Sequence, residues 1–125
     1  MSFDSAMLPL RGQRILVADD EVIIALDMAA TLEDQGAEIV GPFSTLEQTL
    51  ASAHHDSISV AVLDIRLGRA LIGPVAELLR ERRIPFVFQS GQELPPAIRQ
   101  MCPDTVVLTK PVAPERLVEA VVSCL

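Results

Sequence analysis

The chain has 125 residues, half of them hydrophobic, with a formal net charge of -7, two cysteines and no tryptophan or tyrosine. That length allows one compact domain, and that hydrophobic share excludes global disorder. The acidic balance argues against a nucleic-acid-binding face, and four phenylalanines as the only aromatics argue against a flavin or base-stacking site. No stretch is long and apolar enough to cross a membrane, so no membrane partner is expected. Residues 1–13 carry acidic Asp4 and no long apolar run, unlike a signal peptide. Cys102 and Cys124 form no metal or redox spacing, and a reduced, cytoplasmic protein is the expectation.

In chain order, residues 1–13 read as an N-terminal tail and 14–125 as one domain. Arg14-Ile-Leu-Val-Ala18 is a strand-length apolar run that leads into Asp19-Asp20-Glu21. Ala25, Met28, Ala29 and Leu32 then recur at helical spacing, with Gly36 placed to end that helix. Ala37 to Val40 reads as a weaker second strand. Ser44 and Glu47 match a capping box, opening a helix to about His54. Val60-Ala-Val-Leu63 leads into Asp64, followed by a Gly68/Gly73 loop and by Pro74 as a first helical residue. Val75, Leu78 and Leu79 give that helix its buried face. Pro85-Phe-Val-Phe88 leads to Ser90-Gly91, and Pro95 and Pro96 allow only a short, poorly anchored helix to Met101. Val106-Val-Leu108 leads to Thr109-Lys110-Pro111, and Pro114 starts a last helix with Leu117, Val118 and Val121 inward. Five repeats of strand then helix predict an α/β fold: a five-stranded parallel, doubly wound sheet with helices on both faces and right-handed crossovers.

Ligands of such sheets bind beyond the carboxyl ends of the strands, where Asp19, Asp20, Asp64, Ser90 and Lys110 are all predicted to lie. Lys110 is the only lysine among ten basic residues. Each feature alone has a plain structural reading: an Asp-Asp pair caps a helix, Asp64 sits in a turn, and Ser-Gly or Lys-Pro marks a loop. Together they are far more specific. Close carboxylates repel one another, and a hard divalent cation such as Mg²⁺ relieves this by taking carboxylates, waters and a phosphate oxygen. A carboxylate is a competent nucleophile for phosphoryl transfer, and an ammonium and a hydroxyl beside it would stabilise charge on the equatorial oxygens.

From about Arg14, the chain resembles the receiver domain of bacterial two-component response regulators. Leu16-Val-Ala-Asp-Asp-Glu21 is similar to the family's acidic pair, Leu63-Asp64-Ile65 to its phosphoacceptor strand, and Leu108-Thr-Lys-Pro111 to its lysine-proline signature. The resemblance implies a flavodoxin-like receiver fold. It further implies Asp64 as phosphoacceptor, Asp20 as a direct Mg²⁺ ligand, Asp19 acting through water, and the Arg66 backbone carbonyl completing the metal site. Ser90 would take the switch-hydroxyl role, Lys110 would hold a phosphoryl oxygen, and the Lys110-Pro111 bond would be cis. Phe88, Ser90 and Gly91 also resemble the receiver subgroup named for its Phe-Ala-Thr-Gly-hydrophobic-Tyr motif, with Gln89, Gln92 and Glu93 departing from it. Thr31-Leu-Glu-Asp34 and Ile39-Val-Gly-Pro42 look like that subgroup as well.

Two departures matter. Val107 stands where the family places an aromatic ring, so the familiar ring-rotation switch is absent. Arg66 places a long cation two residues after Asp64, where it would alter phosphate lifetime. The implied activity is that of a single-domain response regulator or isolated receiver. It would take a phosphoryl group from a histidine kinase or phosphotransfer protein, and would not act as an enzyme on other substrates. With no output domain expected after the last helix, output would run through protein contacts on the face of the fourth helix, fifth strand and fifth helix, or the domain would serve as a phosphate sink.

Rival readings are a phosphorylation-independent binding module and an aspartate-nucleophile phosphohydrolase. The latter usually spaces its two acids two apart, and Asp19 and Asp20 are adjacent. A flavodoxin-like cofactor carrier fits least, since no hydroxyl-rich phosphate loop follows the first strand. His54-His55 and Arg80-Glu-Arg-Arg83 read as solvated helix ends, and the cysteines as inert.

Overall fold

The structure, a computed structural model, describes residues 8–125. Its elements are β1 (Arg14–Ala18), α1 (Val22–Asp34), β2 (Glu38–Phe43), α2 (Leu46–His55), β3 (Val60–Asp64), β4 (Arg66–Leu67), β5 (Ala70–Leu71), α3 (Gly73–Glu81), β6 (Phe86–Ser90), α4 (Pro96–Met101), β7 (Val107–Thr109) and α5 (Pro114–Ser123). The main sheet has the order β2-β1-β3-β6-β7, and its strand pairs are all parallel. This is the expected doubly wound sheet. β3 and β6 are buried along their whole length, which is why they read as continuous apolar runs rather than alternating ones.

The pleat sorts the strand residues into two cores. Leu16, Ala18, Ala61, Leu63, Phe86 and Phe88 pack on one face with Ala53, Val75, Ala76, Leu79 and Ile98. Ile15, Val17, Val60, Val62, Val87 and Leu108 pack on the other with Met28, Leu32, Leu117, Ala120 and Val121. Successive side chains alternate across a strand. Continued to the strand ends, the alternation puts Asp19, Asp64, Gln89 and Lys110 on the second face, above α1 and α5.

Helix ends follow their sequence signals with some displacement. Gly36, at φ +98°, ends α1: its N–H bonds to the Glu33 carbonyl at 2.9 Å and the Ala37 N–H to the Leu32 carbonyl at 3.2 Å. Arg83, at φ +59°, closes α3 by the same pair of bonds, from Arg83 to Arg80 and from Ile84 to Leu79. The cap of α2 is shifted by one residue from the expected Ser44/Glu47 box. Thr45 is the N-cap, its Oγ1 accepting from the Gln48 N–H at 3.1 Å, while Gln48 Oε1 accepts from the Ser44 N–H at 3.4 Å. Two overlapping S/T-x-x-E/Q frames stand in 44–48, and sequence alone does not rank them.

Other expectations need adjustment. The second strand runs to Phe43, not Val40, because β1 pairs past a register shift to reach it. Gly41 allows this at φ +106°, where a Cβ would lie 2.9 Å from the Phe43 nitrogen. The Gly68/Gly73 loop contains the antiparallel β4–β5 hairpin. Leu78 packs against the first core but is only half-buried, Val118 is half-buried rather than inward, and Ala76 and Ala120 take buried positions. Arg80 and Arg82 are exposed but not merely solvated. Arg80 Nη1 donates to the Met101 carbonyl at the end of α4, and Arg82 Nη1 to the Ala53 and Asp56 carbonyls at the end of α2. Of residues 1–13, 1–7 lie outside the described residues, while 8–13 form turns from which Leu10 is fully buried in the second core. His54 and His55 are exposed at the end of α2, as expected.

Candidate functional site

The carboxyl ends of β1, β3, β6 and β7 bring the expected residues to one edge. Asp20, Glu21, Asp64, Arg66, Ser90 and Lys110 line a single cavity of about 290 Å³. Asp19 lies beneath it with no exposed surface. Lys110 ties the acids together: its Nζ is 2.9 Å from Asp64 Oδ2, 3.2 Å from Asp19 Oδ2 and 3.4 Å from Glu21 Oε1. The Lys110-Pro111 peptide is cis, as expected.

Electrostatics follow from burial and pairing. Burial pushes the Asp64 carboxyl up from 3.8 to about 6; the Asp19 charge adds to this, and the Lys110 hydrogen bond and charge only partly offset it. For Lys110, burial alone would lower the ammonium, but its hydrogen bonds to Asp64 and Asp19 and their charges prevail and hold it above its ordinary value. Cys102 and Cys124 are free, and burial raises both thiols, in keeping with inert residues.

Among the described residues, Asp19, Asp20 and Glu21 form one group in which one carboxylate oxygen from each lies within 4.8 Å of the others. Such a donor set suits a hard divalent cation. Asp64 stands beside this group rather than in it, with Oδ2 held by Lys110 and Oδ1 accepting from the Arg66 N–H at 3.4 Å. Ser90 shares the cavity, but its hydroxyl is engaged by its own loop: Oγ donates to the Gln92 carbonyl at 2.7 Å and accepts from the Gln92 N–H at 3.1 Å.

Three contributors have no counterpart among the sequence-derived roles. Glu21 joins the acidic group and meets Lys110, although only its neighbours were assigned. The Gly68 N–H donates to Asp20 Oδ2 at 2.8 Å, bringing the β4–β5 hairpin into the site; a backbone donor leaves no side-chain signal. Gln89 is 1% exposed, and its Nε2 donates to Asp19 Oδ2 at 2.8 Å. In the sequence it stood out only as a departure from the subgroup motif.

A doubly wound parallel sheet with acids and a lysine at its carboxyl edge defines a receiver-type α/β domain. A model described as the response regulator receiver domain matches residues 15–122, and the chain belongs to that family. Among solved structures it is similar to a response regulator receiver protein from Sinorhizobium medicae, at 30% identity and TM-score 0.78, covering 90% of this chain and 93% of that one. It is also similar to the response regulator PhyR from Brucella abortus, at 26% identity and TM-score 0.73, covering 96% of this chain and 50% of that one. The transcriptional regulatory protein PdtaR of Mycobacterium tuberculosis is 29% identical over 76 residues, which make up 60% of this chain and 37% of that protein. The match therefore spans well under half of that curated relative.

Proposed function

We propose that Asp64 is a phosphoacceptor that takes a phosphoryl group from a histidine kinase or phosphotransfer protein. The observation that carries this reading is the 2.9 Å contact of Lys110 Nζ with Asp64 Oδ2, at the wall of a cavity that also holds the acidic group. An ionised Asp64 oxygen bonds to phosphorus, the P–N bond of the donor phosphohistidine breaks, and the imidazole nitrogen leaves with its electron pair and takes up a proton. Lys110 is placed to meet an equatorial phosphoryl oxygen. Ser90 reaches another once its hydroxyl leaves Gln92. Asp19, Asp20, Asp64 and the Arg66 carbonyl would hold Mg²⁺, which when bound offsets negative charge on the phosphoryl oxygens. The chemistry is confined to the domain's own phosphoryl uptake and hydrolysis.

Phe88, Ser90 and Gly91 support placing the chain in the subgroup named for the Phe-Ala-Thr-Gly-hydrophobic-Tyr motif, with Gln89, Gln92 and Glu93 as the departures. The output surface is the face of α4, β7 and α5. There α4 spans six residues and buries only Ile98, while Val107 is 36% exposed. Elements held by few buried contacts are the ones that yield to a switch. A downstream protein partner on this face would read the change.

Intact-mass spectrometry after incubation with acetyl phosphate and Mg²⁺ tests the assignment. One phosphoryl adduct is expected on the wild type and none on Asp64→Asn. No adduct on the wild type, sampled quickly at saturating Mg²⁺, would overturn it. Arg66 is exposed at the cavity rim, where its guanidinium can pair with the phosphoryl group and screen it from water. Arg66→Ala is expected to hasten loss of the adduct by about threefold to tenfold. An unchanged decay would remove Arg66 from the account.

A further inference from the structure

Asp19 is wholly buried, and its carboxylate has three donors: the Glu21 N–H to Oδ1 at 2.9 Å, Gln89 Nε2 to Oδ2 at 2.8 Å and Lys110 Nζ to Oδ2 at 3.2 Å. The three are not equivalent. The Glu21 donor is backbone. Gln89 is locked inside the sheet, in register with Asp64 on β3. Because β3 separates β1 from β6, the Gln89 amide reaches past the Asp64 strand to Asp19, across two strand spacings of roughly 4.8 Å each. Lys110 is shared, since the same ammonium also contacts Asp64 and Glu21.

Phosphoryl uptake at Asp64 requires Lys110 to turn from Asp19 toward the new phosphoryl oxygens. A buried acceptor that loses its only donor bears its full desolvation penalty. Asp19 Oδ2 escapes this because Gln89 stays. We propose that Gln89 is a positioning residue for phosphoryl uptake: it keeps Asp19 paired and oriented while Lys110 transfers to the phosphoryl group. The proposal rests on the reading of Asp64 as phosphoacceptor. It also explains why an amide occupies a face of β6 that Val87 otherwise gives to the apolar core.

The test uses Gln89→Met, which keeps length and volume but removes the donor. Lys110 is the only lysine in the chain, so isotope-labelled lysine gives one side-chain NMR signal that reports it directly. Beryllofluoride with Mg²⁺ stands in for the phosphoryl group. In the wild type, the Lys110 signal is expected to move on adding beryllofluoride. In Gln89→Met, uptake from acetyl phosphate is expected to slow by about tenfold, with Mg²⁺ affinity held within about threefold. The Lys110 response is expected to vanish at beryllofluoride concentrations that saturate the wild type. A purely structural role would lower stability and leave that response intact.

Uptake in the variant within about twofold of the wild type, or an unaltered Lys110 response, overturns the role of Gln89 alone. Failure of the wild type to take up a phosphoryl group overturns the Asp64 reading and this role with it. If Gln89→Met does not fold, the wild type still decides. The Gln89 side-chain amide must remain protected from exchange when beryllofluoride binds, and its release from Asp19 refutes the proposal.

Discussion

Lys110→Ala is expected to slow phosphoryl uptake at Asp64 by about a hundredfold or more, the scale seen when one preorganised donor to a developing oxyanion is lost. Among the described residues, Lys110 is the only cation in contact with Asp19, Glu21 and Asp64. The same substitution should tighten Mg²⁺ binding, because the ammonium and the metal compete to neutralise the same carboxylates. Uptake and metal affinity would thus move in opposite directions, which general damage to the site would not produce. Lys110→Arg should restore little, since a planar fork does not reproduce a compact ammonium placed among three acids. Stopped-flow mixing with acetyl phosphate gives the rate and a Mg²⁺ titration gives the affinity. Uptake at the wild-type rate in Lys110→Ala would remove the lysine from the chemistry.

Legibility in the sequence followed burial. Strands β3 and β6 are enclosed on both faces, so their apolar runs stood out and fixed where Asp64 and Ser90 fall. Asp19 and Asp20 were legible for the same reason, while Lys110 closes an apolar run of which only Leu108 is buried. Helix faces were read correctly where spacing was strict: Ala25, Met28, Ala29 and Leu32 are the buried residues of α1. What escaped depends on partners distant in sequence. Leu10 is buried in a cluster whose members include residues as remote in sequence as Val121. Gln89 registered only as a mismatch to a motif, because its partner lies 70 residues away and two strands over. Arg80 and Arg82 carry the charge expected at a helix end, but the carbonyls they meet belong to other helices. The hydroxyl of Ser90 was placed at the correct edge, yet its bond to Gln92 is a local turn geometry that two residues do not announce.

Asp64→Asn should make the domain more stable near neutral pH, and the sign follows from burial. The folded state holds the Asp64 carboxyl at about 6 against an ordinary value of 3.8, chiefly through burial. Between those values the folded chain binds more protons than the unfolded chain, so stability falls as pH rises through that window and the penalty is complete above it. At about 1.4 kcal/mol per pH unit, discounted for solvent screening in the open cavity, the ionised carboxylate costs the fold on the order of 1–2 kcal/mol near pH 7. Asparagine removes that cost while keeping an acceptor for Lys110. The variant is therefore expected to gain on the order of 1–2 kcal/mol in urea unfolding near pH 7 and close to nothing near pH 4. Mg²⁺ should narrow the gap by stabilising the wild type more than the variant, and its apparent affinity for the wild type should weaken as the pH drops below about 6, where a proton competes for Asp64. An Asp64→Asn domain less stable than the wild type near pH 7 would mean that Lys110 more than offsets the cost of burying Asp64.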